Sequence, residues 1–184
     1  SNSTAFGGAI YAKKGDSTTS TVTISGGTIG GTGTYLDNAA LAKLKAGGFD
    51  NVIIGDKTDA GKLTIDGISD LPSYTTLFAK GGVHFAGPIA AGEGAGKTLV
   101  VYSENGMTEG ATNPLAVDNL LLWGKGDFKL DTVRNEIRHL ATDLHDEGSL
   151  ALNNRGDLQT ASITNKNNGA TVAGVEAKAV KLDV

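Results

Sequence analysis

The chain has 184 residues and a net charge of −4, with 39% hydrophobic residues, 5% aromatic residues, 27 glycines and no cysteine. This length suits one domain with a continuous core. Because the lysines and arginines are scattered and fewer than the acidic residues, we expect no nucleic-acid partner and no binding to anionic lipid. The lack of cysteine excludes a disulfide scaffold, a thiolate metal site and a cysteine nucleophile.

The amino-terminal region differs from the rest of the chain. It starts with Ser1-Asn2-Ser3, which is neither an initiator methionine nor a signal peptide, so we interpret the chain as a fragment of a longer protein. We expect residues 1–25 to form an amino-terminal strand or extension and residues 26–184 to form one folded segment. The longest apolar stretch, residues 120–123, is too short to span a bilayer, so we expect no membrane insertion.

A clear helical pattern occurs at residues 38–46, where alanine and leucine predominate. Asp37 is a suitable N-cap, and Gly47 suits the C′ position that follows the helix. The lysines lie toward the carboxyl end, where the helix dipole favours positive charge. Residues 132–144 form a second candidate helix, but their β-branched and polar side chains leave that interpretation open.

Most of the remaining chain alternates apolar and polar residues with a period of two, which indicates strands with one apolar face. Turn signals such as Asp66-Gly67, Gly81-Gly82 and Asn105-Gly106 separate these runs. The alternation occurs at Val22/Ile24, Leu63/Ile65, Val83/Phe85, Leu99/Val101, Leu120/Leu122, Phe128/Leu130, Leu150/Leu152 and Val180/Leu182/Val184.

The runs that begin at Leu63, Val83, Leu99 and Leu120 recur at steps of about 20 residues, a spacing typical of solenoids. We therefore predict an all-β fold, a right-handed parallel β-helix with one short helix, whose coils rise by about 4.8 Å each. Alternate aliphatic side chains would form a central column, while polar side chains would face water. A β-sandwich is the alternative, although the long and uneven spacers do not suit its tight hairpins.

Several motifs occur in an order that resembles the repetitive passenger region of filamentous-haemagglutinin-type exoproteins, which leave Gram-negative bacteria by two-partner secretion. The resemblance covers residues 26–184. It rests on the segments GTGTYL at 31–36, GFDNVIIG at 48–55, GKLTIDG at 61–67, LFAKGGVHFAGPI at 77–89, LAVDNLLL at 115–122 and GSLALNNRGDL at 148–158.

The resemblance implies a right-handed β-helix, a secreted or cell-surface location, and a structural and adhesive role in attachment to host cells or other bacteria. It implies as partners a host-cell or bacterial surface receptor or glycan, together with adjoining repeats of the parent protein. The Asn-Pro motifs of the family's secretion domain do not occur here, since Asn113-Pro114-Leu115 matches them poorly. This segment is therefore not expected to engage the outer-membrane transporter.

The tripeptide Arg155-Gly156-Asp157 is the candidate receptor-binding site. In a mobile turn, such a tripeptide can bind integrins: the guanidinium meets an acidic pocket, and the carboxylate completes a metal site on the receptor. The simpler interpretation is an ordinary turn between the strands at Leu150 and Leu158, because glycine and aspartate are common turn residues.

Two glycine-rich segments resemble ligand loops only in part. Residues 91–98 end like a phosphate-binding loop, but a strand and not a helix is expected to follow, so we expect no nucleotide site. Residues 30–35 resemble a calcium-binding nonapeptide in which Tyr35 replaces the required aspartate. We predict no cofactor.

One cluster could supply ligands for zinc: His139, Asp143, His145, Asp146 and Glu147. On a helix, the first two would share a face, but His145 would not. A solvated loop before Gly148 is the favoured interpretation, so we predict no metal site.

We predict a non-enzymatic protein without catalytic residues. Acid–base catalysis needs carboxyl groups at defined separations, whereas the acidic residues here are mostly single and stand in presumed turns. Trp123 and Phe128 flank a bend, where their large rings favour a core or seam-covering role over sugar stacking. The alternatives are a polysaccharide-acting β-helix enzyme and a discrete integrin- or glycan-binding module, because the fold alone does not determine function.

Overall fold

A computed structural model describes residues 21–24, 28–30, 38–49, 51–56, 58, 61–90 and 96–184. Residues 1–20 lie outside this part, so the proposed boundary at residue 25 stays a prediction. The described elements are α1 (Asn38–Ala46), a 3₁₀ turn (His145–Glu147) and the strands β1 (Thr21–Ile24), β2 (Thr28–Gly30), β3 (Asn51–Asp56), β4 (Leu63–Ile68), β5 (Tyr74–Ala79), β6 (Val83–Ala90), β7 (Thr98–Ser103), β8 (Met107–Glu109), β9 (Leu115–Gly124), β10 (Gly126–Asp143), β11 (Gly148–Asn154), β12 (Gln159–Thr160), β13 (Ser162–Thr164), β14 (Thr171–Ala173), β15 (Val175–Glu176) and β16 (Ala179–Asp183).

The strands stack in parallel as a β-solenoid of about five turns, which confirms the predicted β-helix class. Face 1 comprises β1, β3, β5, β7 and the ends of β9 and β10. Face 2 comprises β2, β4, β6, β8, the start of β10, β11 and β16. Face 3 comprises the end of β6, the start of β9 and the middle of β10. The β-sandwich alternative is wrong, since β13 and β14 form the one antiparallel pair among the described strands.

The interior is a continuous column of apolar side chains. On face 2, the register places Leu63, Val83, Met107, Phe128 and Leu150 on top of one another. All five are buried. Each such side chain contributes about 1.5–3 kcal/mol relative to full exposure, so the stacked column is a main source of stability.

Apolar runs that are about 20 residues apart pair with each other when they lie on the same face, but not when they lie on different faces. Leu63 pairs with Val83, and Leu99 pairs with Leu120, as the steps of about 20 residues predict. Val83 and Leu99, however, lie on faces 2 and 1, in β6 and β7. Because each coil contains several apolar strands, equal spacing along the chain does not show which strands are stacked.

The helix α1 has the predicted bounds, but the glycine that ends it is not the predicted one. The left-handed residue is Gly48, with φ of 77°, and not Gly47. The Gly48 amide donates to the carbonyl of Lys45 at 2.9 Å, which closes the helix. Leu41 and Leu44 are buried in the main core and anchor α1 to the solenoid.

The second candidate helix, at residues 132–144, is wrong. Residues 132–143 belong to β10, an 18-residue strand that pairs with β8 and β9 on one side and with β11, β12 and β15 on the other. The side chains of Asn135, Ile137 and Leu140 point inward and are buried. Stacking between two coils satisfies the backbone and overrides any local helical preference.

A second, smaller core lies on the outer side of face 1. There, Ile163 of the β13–β14 hairpin packs against four outward side chains of face 1, namely Tyr74, Val100, Leu121 and Ala141, and all five are buried. The sequence analysis expected outward side chains to be polar and to face water. The hydroxyl of Tyr74 donates to the carbonyl of Thr164 at 2.8 Å and accepts from the amide of Lys166 at 3.0 Å. The hairpin therefore makes this part of face 1 unavailable as an exposed binding surface.

Candidate binding groove

Face 3 carries an open groove of about 780 Å³. It crosses the coils that contain β6, β9 and β10, and the turn after β11 closes one side. Its polar lining includes Asp118, Glu136, Arg138, His139, Arg155 and Asp157.

The groove follows from alternation along the strands. Asn135 and Ile137 point into the core, so the alternate residues Glu136 and Arg138 point outward. In the coils before them, the register places Ala90 and Ala116 in the same column as Glu136. Because alanine side chains are short, the surface is low on that side, and the charged side chains form the opposite wall.

Two ion pairs join successive coils in the groove. The guanidinium of Arg138 lies 3.5 Å from the carboxylate of Asp118, and that of Arg155 pairs with Glu136. The carboxylate of Asp118 also accepts from the amide of Gly96 at 2.6 Å. Each pair therefore links outward side chains of adjacent coils.

The predicted receptor-binding tripeptide forms part of the groove wall. The amide of Arg155 donates to the carbonyl of Asn135 at 2.7 Å, so the turn lies against the neighbouring coil. The Arg155 side chain is 67% exposed although it pairs with Glu136. Gly156 has φ of 85°, and Asp157 is exposed without an ion-pair or hydrogen-bond partner among the described residues. The structure places the tripeptide, and its binding role stays a prediction.

Below the groove lies a buried asparagine ladder that the sequence analysis missed. Asn135 and Asn154 are adjacent in register, and both are buried. The carboxamide oxygen of Asn135 accepts from the amide of Leu115 at 2.7 Å, and that of Asn154 accepts from the amide of Ile137 at 2.8 Å. Each asparagine therefore replaces a backbone hydrogen bond at the corner between faces 2 and 3.

The sequence analysis also missed Asp118, Glu136 and Arg138 as groove residues. The available signal was the alternation through β9 and β10, which places these side chains outside the core. The sequence analysis had also left a helix possible at residues 132–144. In a helix, these residues would be distributed around its circumference, so the alternation was not decisive.

The predicted zinc cluster is divided in the structure. His139 lies in the groove, and Glu147 pairs with Lys125 at 2.7 Å. Asp143 and His145 lie at the far end of face 1, where Glu176 joins them. The favoured interpretation was a solvated loop, and a 3₁₀ turn of exposed residues occupies that place.

His145 lies between two carboxylates from other elements. Its Nε2 is 2.8 Å from Asp143, and its Nδ1 is 3.3 Å from Glu176. The hydrogen bond to Glu176, together with the negative charge of Asp143, raises the pKa of His145. This cluster is separate from the groove and is formed by residues far apart in the sequence.

The two predicted aromatic residues have different roles. Phe128 is fully buried in the column of face 2, as the core interpretation expected. Trp123 lies on the outside of face 1, where its ring centroid is 4.8 Å from that of Tyr102 and 6.3 Å from that of Phe78. The outward rings are tilted against one another, so they pack as a ridge and do not form a flat stacking surface.

Other predicted features lie partly outside the described residues. These include Asp37, residues 31–35 of the calcium-like segment and residues 91–95 of the phosphate-loop-like segment. The residues that follow the latter form strand β7, as predicted, and Lys97 is buried in an ion pair with Asp70. The ammonium group of Lys97 is therefore already paired with Asp70, unlike the lysine of a phosphate-binding loop, which contacts the phosphates.

Glu109 supplies a pH-dependent contribution to stability. Its carboxylate accepts from the amides of Thr132 and Val133 at 2.9 and 3.1 Å, but burial raises its pKa above the usual value. A raised carboxyl pKa means that the folded state binds more protons, so stability falls as pH rises through the folded pKa. We expect Glu109→Gln to remove this fall, as measured by urea unfolding between about pH 4 and 8. Parallel curves for the two proteins would contradict the assignment.

The described residues include no helix long and apolar enough to cross a membrane. The groove is formed by outward side chains of stacked strands, an arrangement that many unrelated solenoids can share. No family model, no curated protein and no solved structure matches the chain, so its family stays a prediction.

Proposed function

We propose that this chain is a structural and adhesive solenoid segment of a large secreted bacterial surface protein, and that its groove attaches to a receptor or glycan on host cells or other bacteria. The observation that carries the proposal is the open charged groove on face 3, which several successive coils form together. Secretion and the haemagglutinin-like assignment rest on the sequence resemblance alone.

The solenoid provides a rigid support for the groove. β9 pairs along most of its length with the second half of β10, and the ladder of Asn135 and Asn154 closes the corner beneath the groove. Binding side chains that stand on paired strands lose little conformational freedom when a ligand binds. This rigidity favours recognition of an extended ligand such as a polysaccharide.

The charges in the groove favour binding over catalysis. Asp118 and Glu136 are each paired with an arginine, and Asp157 is a single exposed carboxylate. Glycoside hydrolysis uses two carboxyl groups that flank the bond to be cleaved. One acts as an acid, and the other acts as a base or a nucleophile. Paired charges of both signs instead present donors and acceptors side by side, which suit sugar hydroxyl groups and charged substituents.

The last strand supports the proposed contact with adjoining repeats. Val180 and Leu182 of β16 are in register with the buried Leu150 and Leu152, but they are 46% and 44% exposed. In solenoids, a further coil usually stacks on a strand whose apolar side chains are otherwise uncovered. We propose that further repeats of the parent protein stack there.

The proposal predicts that groove variants lose attachment. We expect Arg138→Ala and Asp157→Ala to weaken binding of the labelled protein to a panel of immobilised glycans and to cultured epithelial and bacterial cells by about tenfold or more, since central contacts dominate such interfaces. Lys129→Ala is the matched control: it removes an exposed charge from β10 on face 2, outside the groove. Equal binding by all four proteins would contradict the proposal, as would wild-type protein that binds nothing on the panel.

The same assay separates the alternatives. The free carboxylate of Asp157 favours integrin recognition as a second candidate, and that mode requires a divalent cation on the receptor. Loss of cell attachment in Asp157→Ala and in EDTA, with Arg138→Ala unaffected, would identify the integrin mode. Release of reducing ends from a bound polysaccharide, abolished in Glu136→Gln, would identify an enzyme and overturn the non-enzymatic proposal.

A further inference from the structure

Three potential metal ligands converge at the end of face 1, away from the groove. Asp143 ends β10, His145 starts the 3₁₀ turn and Glu176 ends β15. One ligand atom from each lies within 4.8 Å of the others. Glu176 is distant from the other two in sequence, so the cluster exists only because the last coil stacks on β10.

Hydrogen bonds fix the backbone around these ligands. The hydroxyl of Thr142 donates to the carbonyl of Glu176 at 2.9 Å and accepts from the amide of Glu176 at 2.9 Å. The amide of Leu144 donates to the same carbonyl at 3.0 Å. The carboxylates of Asp143 and Glu176 are therefore carried by backbone that is held on both strands.

The register creates an electrostatic conflict that a cation resolves. Asp143 and Glu176 are directly opposite one another on adjacent strands, and like charges at such positions are unfavourable. His145 lies beside both of them, with φ of 50°, the one positive φ among the described residues other than glycine.

We propose that Asp143, His145 and Glu176 form a site for a divalent transition-metal ion of the zinc class, which joins the last coil to β10. One imidazole nitrogen and two carboxylate oxygens suit zinc or cobalt, with water in the remaining positions. Calcium and magnesium prefer sites made only of oxygen ligands, so the imidazole disfavours them. The metal competes with the proton on His145, because only neutral imidazole is a ligand.

The single tryptophan provides a direct readout of the site. Trp123 is paired in register with Asp143, and adjacent strands of a sheet lie about 4.8 Å apart. We expect Co²⁺, a paramagnetic ion, to quench Trp123 fluorescence in a saturable titration. Zn²⁺ is expected to displace Co²⁺ and restore the fluorescence, and Zn²⁺ alone is expected to raise the Tm by a few degrees.

Matched variants test whether the three side chains are the ligands. His145→Asn removes the imidazole but tolerates a positive φ, and Glu176→Gln removes one charge without changing size. We expect each to weaken Co²⁺ binding by at least about tenfold. The other two histidines give the controls His84→Ala and His139→Ala, which are expected to bind Co²⁺ like the wild type.

Several results would overturn the metal site. One is quenching that does not saturate, or that persists unchanged in both His145→Asn and Glu176→Gln, which would indicate an adventitious ion only. Another is a Zn²⁺-dependent rise in Tm of equal size in the wild type and both variants. Equal binding of Ca²⁺ and Zn²⁺, judged by competition with Co²⁺, would reject the zinc-class assignment.

Discussion

Asn135→Ala is expected to lower the free energy of unfolding by about 3–5 kcal/mol, because each buried polar group left without a partner costs about 1–3 kcal/mol. The Asn135 side chain is completely buried. Its carboxamide accepts from the amide of Leu115 at 2.7 Å and donates to the carbonyls of Leu130 and Asn153 at 2.8 and 3.2 Å. Alanine leaves these groups in three coils unsatisfied. Urea unfolding followed by circular dichroism measures the loss.

Asn113→Ala is the matched control for this variant. The Asn113 carboxamide also donates to a carbonyl of a neighbouring coil, that of Ala86 at 2.7 Å, but this bond is exposed. Water replaces the lost partner there, so we expect a change of less than about 1 kcal/mol. Equal losses in the two variants would show that the buried ladder has no special role in holding the coils together.

Gly106→Ala is expected to lower the free energy of unfolding by about 3–4 kcal/mol. Gly106 has φ of 74°, where an alanine side chain is strained by about 1–2 kcal/mol. An added Cβ would also lie 2.1 Å from the carbonyl oxygen of Asp127 in the next coil, so the two coils would have to separate. Such an overpacked contact, which forces the backbone to shift, typically costs about a further 1–3 kcal/mol. The measurement is again denaturant unfolding.

Gly156→Ala isolates the contribution of the contact between coils. Gly156 has φ of 85°, similar to that of Gly106, but no atom lies within 4 Å of an added Cβ. We expect a loss of about 1–2 kcal/mol from backbone strain alone. If Gly156→Ala destabilised the protein as much as Gly106→Ala does, the close approach of Gly106 to Asp127 would have no measurable effect.

These effects on stability also bear on the groove. The carbonyl of Asn135 holds the amide of Arg155, and the Asn135 side chain closes the corner from which Glu136 and Arg138 project. A variant that loosens this corner is therefore expected to weaken attachment without removing a groove side chain. For this reason, the binding assays rely on Arg138 and Asp157, whose side chains are exposed and outside the core.

Local sequence correctly indicated the helix and eight of the sixteen described strands. Alanine and leucine residues with the following glycines predicted α1 to its observed bounds, because propensity and capping act within a few residues. Alternation correctly placed Leu63, Val83 and Phe128 on the inner side of their strands. The parallel solenoid followed from the spacing of these runs, since a regular spacing allows strands of successive coils to pair.

Sequence did not indicate which side chains meet. The groove joins Asp118, Arg138 and Asp157, and the register of three coils determines that meeting. The metal cluster requires Glu176 to stack beside Asp143 after the β13–β14 hairpin, which no local pattern predicts. The hairpin also buries outward residues of face 1. The apolar residues there therefore belong to a second core and not to the central column.

The sequence by itself determined that the chain forms short strands with one apolar side, one helix and glycine turns, because these features depend on side-chain size and backbone freedom over a few residues. Only the tertiary structure decided which strands are neighbours, where the asparagine ladder closes the corner and where charges gather on the surface. Those choices depend on register between coils, and a shift of one residue would turn every inward side chain outward.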